Sequence, residues 1–152
     1  MRIATWNVNG VRARAAQLRE WVERDRPDVL CLQELKAEAA QIPPQCNLPD
    51  YYAYWHCLKG YSGVSLHIHR DLVSADPVFS HPTFDMESRI VQAEVGNMII
   101  ASVYVPNGGR DYAAKVAFLN ALTSWVRQLL GRLHALRIPG DGGVSRGRGL
   151  RG

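Results

Sequence analysis

The sequence predicts a mixed α/β (α+β) fold in which short strands alternate with helices. Short apolar runs recur along the chain, and a stretch with helical periodicity separates the first two of them. Several of these runs end on a polar residue, although a buried strand has no packing reason to finish on one. Polar strand ends meet at one edge of a packed sheet, where ligand sites collect. We therefore expect a site at the edge of a sheet.

The chain begins with a predicted strand and an amphipathic helix. Residues 2–6 form an apolar strand, which Asn7, Asn9 and Gly10 interrupt. Residues 11–24 follow as a helix, because apolar side chains recur every three or four positions. These side chains are Val11, Ala15, Leu18 and Val22.

A second short strand follows the helix. Pro27 ends the helix, and residues 28–32 are a run of mainly Val and Leu that stops at Gln33 and Glu34. Strands with near-continuous apolar runs are buried on both faces, and we expect this of both strands. Their polar ends are then predicted to lie close together.

The middle of the chain predicts two more strands and two loops. Residues 51–58 and 63–68 are strand-like and are joined by a glycine-containing turn. Residues 41–50 and 71–85 contain prolines and show no period, so we expect them to be irregular.

A hairpin and a second helix are predicted next. Residues 90–95 and 98–105 read as strands that pair across the Gly96–Asn97 turn. Asp111 is a plausible N-cap for a helix that continues to about Leu133. We expect one stripe of this helix to be buried, namely Leu119, Leu122, Val126, Leu129 and Leu133.

Charge divides the chain near residue 126. Residues 1–126 contain 12 Lys and Arg against 13 Asp and Glu, a net of −1, whereas residues 127–152 contain 6 Arg against one Asp, a net of +5. Residues 1–126 are predicted to form one domain. The Arg/Gly-rich remainder is either a tail that binds nucleic-acid phosphates or an out-of-frame translation, and we expect it to be disordered.

Four segments carry a resemblance to a known family. Together they resemble the exonuclease III and apurinic/apyrimidinic (AP) endonuclease family, within the DNase I-like endonuclease/exonuclease/phosphatase superfamily, over about residues 1–126. The segments are WNVNGVRA (6–13), LCLQELK (30–36), GYSGV (60–64) and YVPNGG (104–109). The resemblance implies a four-layer sandwich of two packed sheets with helices outside, present here as an incomplete N-terminal portion.

The resemblance assigns roles to six residues and leaves Arg89 without one. It implies that Asn7 and Glu34 bind the metal, that Tyr104 is catalytic, and that the remaining three contact the DNA backbone. Those three are Arg12, Tyr61 and Asn107. Carboxylate and amide oxygens are hard donors that suit Mg²⁺, and Mn²⁺ is possible as well. Tyr104 would donate a hydrogen bond to the phosphate or act as a phenolate.

The implied function is that of a Mg²⁺-dependent DNA-repair phosphodiesterase of the exodeoxyribonuclease III type. Such an enzyme incises abasic sites and removes 3′-terminal groups, so the expected partner is abasic or 3′-damaged DNA. Neither a membrane nor an obligate protein partner is predicted. The alternatives are another phosphoesterase of the superfamily, or a catalytically dead fragment with at most nucleic-acid binding.

The chain departs from the family pattern after residue 126. The family has a Gly-Asp-x-Asn motif and later an Asp-His pair that complete the catalytic set. Here Asp141 follows a glycine, but its flanking residues do not fit, and we treat it as a chance match. We therefore expect little or no nuclease activity, since a partial catalytic set costs orders of magnitude in rate.

Further expectations follow from the absence of the family's later motifs and from the composition of the chain. The chain should supply mainly one sheet with an exposed inner face, and should be poorly soluble or oligomeric.

His67 and His69 are expected to be ordinary strand residues, and the four tryptophans to be packing residues. Three cysteines without a zinc or redox spacing, and no signal peptide, indicate a reduced, cytoplasmic protein.

Overall fold

The computed structural model describes residues 1–137. Within them, strands and two long helices follow one another in a mixed order. They are β1 (Ile3–Asn7), α1 (Val11–Asp25), β2 (Val29–Gln33), β3 (Tyr51–His56), β4 (Val64–His69), β5 (Phe79–Ser80), β6 (Ile90–Val95), β7 (Met98–Val103) and α2 (Tyr112–Arg137). Short 3-10 turns occupy Ala39–Gln41, Pro44–Cys46 and Arg70–Leu72.

The strands form two separate sheets. The first has the order β1-β2-β4-β3 and the second the order β5-β6-β7. β1 and β2 are parallel, with Ile3 opposite Val29, because α1 crosses over between them. The remaining pairs are antiparallel.

The predicted strands and helices are confirmed, with small shifts at their ends. β6 spans the predicted residues, and β7 ends at Val103 rather than at Val105. Asp111 Oδ1 accepts a hydrogen bond from Ala114 N at 2.9 Å, so Asp111 caps α2 as expected. The prediction that residues 71–85 are irregular was wrong at β5, because a strand of two residues is too short to show a period.

α1 covers one face of the first sheet. Its four apolar residues pack against Leu30 and Leu32 of β2, so the predicted helix stripe is confirmed. Trp6 and Trp21 meet edge to face across this layer, with ring centroids 5.7 Å apart. The helix ends at Arg26, which adopts a left-handed conformation and donates its backbone N–H to Val22 O.

The second sheet covers most of the other face of the first. Val29, Leu66 and Ile68 pack against Val91 and Ile100 in one buried cluster. The expectation of a single sheet with an exposed inner face was therefore wrong. The β6–β7 hairpin does not extend the first sheet but folds over it, because burying both apolar faces is more favourable than leaving them in water.

β1 is the exception within this layer. It lies at the edge of the first sheet, and Ile3 on the side facing the second sheet is 54% exposed. The prediction that β1 is buried on both faces was therefore wrong, whereas β2 is buried along almost its whole length. β2 has neighbours on both sides and β1 on one, and this difference decides their burial.

α2 packs through its aromatic residues. Phe84 meets Phe118 and Trp125, each at a centroid distance of 6.1 Å, and Arg132 approaches Glu94 of β6 at 3.8 Å. Leu119 and Val126 remain exposed, so the predicted leucine stripe was wrong for these two. The large rings determine which side of the helix is buried, since they bury more area than aliphatic side chains.

The composition boundary at residue 126 lies inside α2, which runs on to Arg137. The division into residues 1–126 and 127–152 stays a prediction, and Asp141 and the Arg/Gly-rich end lie outside the described residues, as does the side chain of Leu133. Within the described part of the chain, neither helix combines the length and apolar character needed to cross a bilayer.

Candidate active site

Three loops are joined by backbone hydrogen bonds at the end of the first sheet where β1 and β2 finish. Gly10 N donates to Glu34 O at 2.8 Å, and Val11 N donates to Leu35 O at 3.0 Å. On the other side, Leu35 N donates to Gly63 O at 3.1 Å and Lys36 N to Ser62 O at 3.0 Å. The segments after β1 and β2 and before β4 are thereby held together, which satisfies backbone groups beyond the ends of the strands.

Glu34 occupies the centre of this junction in an unfavourable backbone conformation. Its φ is +55°, and Lys36 has a φ of +51°. Residues other than glycine rarely adopt this left-handed region, and they persist there only when the surroundings hold them. The hydrogen-bonded loops on both sides provide that support.

The Glu34 carboxylate is held by two neighbouring side chains. Asn7 Nδ2 donates to Glu34 Oε1 at 2.8 Å, and Lys36 Nζ lies 3.0 Å from Glu34 Oε2. Lys36 also donates to Asn9 Oδ1, and Asn7 Oδ1 accepts a hydrogen bond from Asn9 N. Asn7 and Glu34, which the sequence predicts as a pair, are thus in direct contact.

The contacts shift the pKa values of Glu34 and Tyr104 in opposite directions. The hydrogen bond from Asn7 holds the pKa of Glu34 below its usual value, with a further contribution from Lys36. Burial raises the pKa of the Tyr104 phenol, and the neighbouring Glu34 carboxylate raises it further. At neutral pH, Glu34 is therefore an anion and Tyr104 a neutral hydrogen-bond donor, so the phenolate role is not favoured.

An open cavity of about 530 Å³ lies beside Glu34. Four of the six predicted site residues line it, namely Glu34, Tyr61, Tyr104 and Asn107. Lys36, Ser62, Met86, Glu87, Arg89, Pro106, Arg110, Asp111 and Ala114 complete the lining. The lining residues come from loops of both sheets and from the start of α2.

Arg89 is the main residue of this site that the sequence did not identify. It is only 7% exposed, and its guanidinium carbon lies 4.8 Å from the centroid of the Tyr104 ring. Its Nη2 and Nε both bind Glu87 Oε2, while Nη1 is buried and has no hydrogen-bond partner among the described residues. A buried cation with a spare donor beside a cavity is suited to an anionic ligand. The available signal in the sequence is the segment Glu87-Ser88-Arg89, which lies just before β6.

Glu87 connects Arg89 to Tyr61. The Tyr61 hydroxyl donates to Glu87 Oε1 at 3.0 Å, and Ser62 Oγ donates to the Glu87 carbonyl. Arg89 holds the pKa of Glu87 below its usual value. Tyr61 therefore faces the cavity in a fixed position, with Arg110 lying 6.0 Å over its ring.

Arg12 and Asn107 lie at the periphery. Arg12 is exposed and lines a neighbouring open groove together with Gly10 and Lys36, and Lys36 also belongs to the central cavity. Asn107 Oδ1 accepts a hydrogen bond from Gly109 N at 2.9 Å, the geometry of a local turn. All six predicted residues thus lie on or next to one connected surface.

The cavity lining has no net charge. Its three basic residues, Lys36, Arg89 and Arg110, are matched by three acidic ones, Glu34, Glu87 and Asp111. Glu87 is paired with the buried Arg89, and Asp111 caps α2, whereas the partner of Glu34 is the half-exposed Lys36. Glu34 is therefore the carboxylate most open to a cation. The positive charge beside Glu34 in this structure comes from the ammonium group of Lys36. The donor set of Glu34 with Asn7 beside it fits a hard divalent cation such as Mg²⁺.

Residues that were expected to be structural are packed as expected. His67 is buried against Trp55, with ring centroids 4.7 Å apart, and its Nε2 lies 2.9 Å from Ser65 Oγ. The three cysteines, Cys31, Cys46 and Cys57, are free.

Comparison with known proteins identifies the family of the chain. The profile of the endonuclease/exonuclease/phosphatase family matches residues 4–142. An exodeoxyribonuclease of Bacillus subtilis is 30% identical over 85% of this chain and 53% of its own length. Among solved structures, a 3' phosphatase from Neisseria bound to a product DNA hairpin superimposes with a TM-score of 0.73 and 31% identity, covering 87% of this chain and 53% of that one.

An AP endonuclease from Archaeoglobus fulgidus superimposes with a TM-score of 0.71 and 27% identity, covering 84% of this chain and 51% of that one. The chain therefore spans about half the length of these proteins, and its two sheets follow their fold. Since the family profile matches most of its residues, the chain belongs to the endonuclease/exonuclease/phosphatase family.

Proposed function

We propose that the chain forms the Glu34 side of the active site of a Mg²⁺-dependent DNA-repair phosphodiesterase of the exodeoxyribonuclease III type. Its substrate would be DNA with an abasic site or a damaged 3' end. The relatives named as an exodeoxyribonuclease, an AP endonuclease and a DNA-bound 3' phosphatase support this substrate class. Manganese is an acceptable replacement for magnesium at such an oxygen-donor site.

The single observation that carries the proposal is the convergence around one cavity. Glu34, Tyr104 and Arg89 come from three separate parts of the sequence and line the same cavity. They provide a carboxylate for a metal, a neutral hydroxyl donor and a buried cation with a spare donor. Such groups favour hydrolysis of a phosphodiester, because they stabilise the negative charge that grows on the phosphate oxygens.

Glu34 is the candidate metal ligand, and Asn7 orients it through the 2.8 Å hydrogen bond. When bound, Mg²⁺ supplies Lewis acidity and draws charge from the phosphate oxygens. Lys36 would be displaced from Glu34 towards the phosphate, since a divalent cation competes with its ammonium group. The hydrogen bond from Asn7 lowers the pKa of Glu34, so the carboxylate stays ionised at more acidic pH than an ordinary glutamate.

The other residues act on the phosphate and the DNA backbone. Tyr104 donates its hydroxyl to a non-bridging oxygen, and Arg89, which lines the same cavity, adds positive charge beside that phosphate. Tyr61, Asn107 and Arg12 extend the contact surface along the strand. Such contacts position the backbone and carry no base specificity.

A binding experiment tests the proposal directly. Fluorescence anisotropy would measure the affinity of the chain for a duplex carrying a tetrahydrofuran abasic-site analogue, with Mg²⁺ or with EDTA. Because the cavity has no net charge without a metal, we expect chelation to weaken binding about tenfold or more. Mg²⁺-dependent incision of the same duplex, followed on a gel, would measure the activity that the chain retains.

Glu34→Gln should abolish the effect of Mg²⁺ on binding, because it removes the carboxylate and keeps the shape. The matched control is Glu23→Gln, which removes an exposed carboxylate of α1 that pairs with Arg19. Affinity that is equal in Mg²⁺ and EDTA, or a Glu34→Gln variant that behaves like Glu23→Gln, would contradict the proposal.

Nucleic-acid binding without catalysis is the second candidate function. The net charge of +5 over residues 127–152 favours it, since arginines bind phosphates without sequence preference. Binding of this kind would be independent of Mg²⁺ and of the abasic site, and would weaken steeply with salt. The same anisotropy experiment therefore distinguishes the two candidates.

A further inference from the structure

A second group of metal-binding side chains lies away from Glu34. His56, His81 and Asp85 each offer one ligand atom, and these atoms all lie within 4.8 Å of one another. His56 Nε2 lies 2.6 Å from Asp85 Oδ2, and the imidazole rings of His56 and His81 are stacked with centroids 4.5 Å apart. The three residues will be called the His-His-Asp cluster.

The cluster joins the two sheets. His56 is the last residue of β3 in the first sheet, and His81 directly follows β5 in the second. Asp85 begins the turn that leads into β6, and its N–H donates to Pro82 O at 2.9 Å. A metal bound here would therefore connect the two sheets, which also meet through apolar packing and through the hydrogen bond from Gln33 Nε2 to Ser102 Oγ.

Asp85 is held firmly by the backbone. Its Oδ1 accepts hydrogen bonds from Arg89 N and Ile90 N, both at 3.0 Å, and its side chain is 5% exposed. This leaves Oδ2 directed at His56. Hydrogen bonds to the second oxygen of a ligating carboxylate fix its orientation, as outer partners do in known metal sites.

The accessibility of the three residues suits an ion arriving from solvent. His81 is exposed, whereas His56 is half-buried. Two imidazole nitrogens and a carboxylate oxygen are the ligand types that zinc takes from proteins, with a fourth position left for water. Two imidazoles disfavour Mg²⁺, which prefers oxygen donors.

We propose that His56, His81 and Asp85 form a Zn²⁺ site that links the two sheets next to the turn carrying Glu87 and Arg89. On binding, the proton between His56 Nε2 and Asp85 Oδ2 leaves that position, either to solvent or to the other imidazole nitrogen. The ion then accepts one lone pair from each of the three residues. This proposal does not rest on the proposed function.

Isothermal titration of the tag-free, 152-residue chain with ZnCl₂, after removal of metal by a chelator, tests the site. We expect one equivalent of Zn²⁺ to bind, and His81→Ala to weaken the binding at least tenfold. His81 is exposed, so its replacement should not disturb folding, which circular dichroism would verify. The matched control is His69→Ala, since His69 lies 3.7 Å from Asp71 and belongs to no group of three potential ligands among residues 1–137.

Thermal unfolding supplies a second readout. Zn²⁺ should raise the unfolding midpoint of the wild type and of His69→Ala, and leave that of His81→Ala unchanged, because ligands stabilise the state that binds them. Mg²⁺ at the same concentration should not raise it through this site. Equal zinc affinity of the wild type and His81→Ala, or no stoichiometric zinc binding by the wild type, would overturn the proposal.

Discussion

The guanidinium of Arg89 lies over the ring of Tyr104, with its central carbon 4.8 Å from the ring centroid, and Tyr104 N donates to Arg89 O at 2.8 Å. The two residues are therefore joined through backbone and side chain at once. Because Glu87 binds the same guanidinium, the position of Tyr104 depends on an ion pair in which Arg89 is buried and Glu87 is half-buried.

Replacing Arg89 with methionine should destabilise the chain by about 2 kcal/mol, because it leaves Glu87, whose side chain is 35% exposed, without its buried partner. Part of this loss should be recovered in the double variant with Glu87→Gln. Arg19→Met, which breaks an exposed pair on α1, should cost about 0.5 kcal/mol or less. Urea unfolding measures all three, and an Arg89→Met variant as stable as Arg19→Met would contradict the prediction.

Tyr104→Phe removes one hydroxyl and keeps the ring beneath Arg89. We expect the free energy of unfolding to change by about 1 kcal/mol or less, and Mg²⁺-dependent affinity for abasic DNA to fall about tenfold. Tyr112→Phe is the control, since Tyr112 is largely exposed. The role of Tyr104 as donor to the phosphate would be refuted by unchanged affinity in a folded protein.

Lys36→Met should strengthen Mg²⁺ binding about three- to tenfold at low ionic strength, because it removes the ammonium that lies 3.0 Å from Glu34 Oε2. The pKa of Glu34 should rise in this variant, since Lys36 contributes to lowering it. Metal titration followed by NMR measures both. Lys59→Met, which removes a lysine 3.6 Å from Glu38, should change neither.

Buried His67 should make the stability sensitive to acid. Burial lowers the pKa of His67 from 6.5 to about 3. Between these two pH values, the unfolded chain binds a proton at His67 and the folded chain does not. Stability is then full above pH 6.5 and falls as the pH drops towards 3, by up to about 1.4 kcal/mol per pH unit. His67→Gln should flatten this slope and His69→Gln should not, as urea unfolding at several pH values would reveal.

We also expect the chain to associate. Tyr112, Val116, Leu119, Val126 and Leu130 of α2 are exposed, and contiguous apolar surface of this kind favours contacts between chains. Size-exclusion chromatography with light scattering measures the state. A clean monomer at micromolar concentration would count against the expectation.

Local pattern was enough to predict most of the secondary structure. α1 followed from its apolar spacing, and the cap at Asp111 and the β6–β7 hairpin followed from their residue types. These features depend on neighbours within a few positions along the chain, which is the range over which a sequence pattern can be read.

The family resemblance also implied that Asn7, Glu34 and Tyr104 share one site, and the structure brings the three residues together. The role of Arg89 was not expected from the sequence. Its position in the site depends on burial against Tyr104 and on pairing with Glu87, and not on its own segment. The His-His-Asp cluster was missed for the same reason: its members come from two sheets.

The sequence by itself determined where the strands and helices lie and which polar residues end the strands. The tertiary structure alone decided that the hairpin covers the first sheet, that β1 is left at an edge, and that aromatic residues orient α2. The physical reason is that segments far apart in the sequence compete to bury their apolar surface against one another. Its outcome depends on shape and position in space, which no local pattern contains.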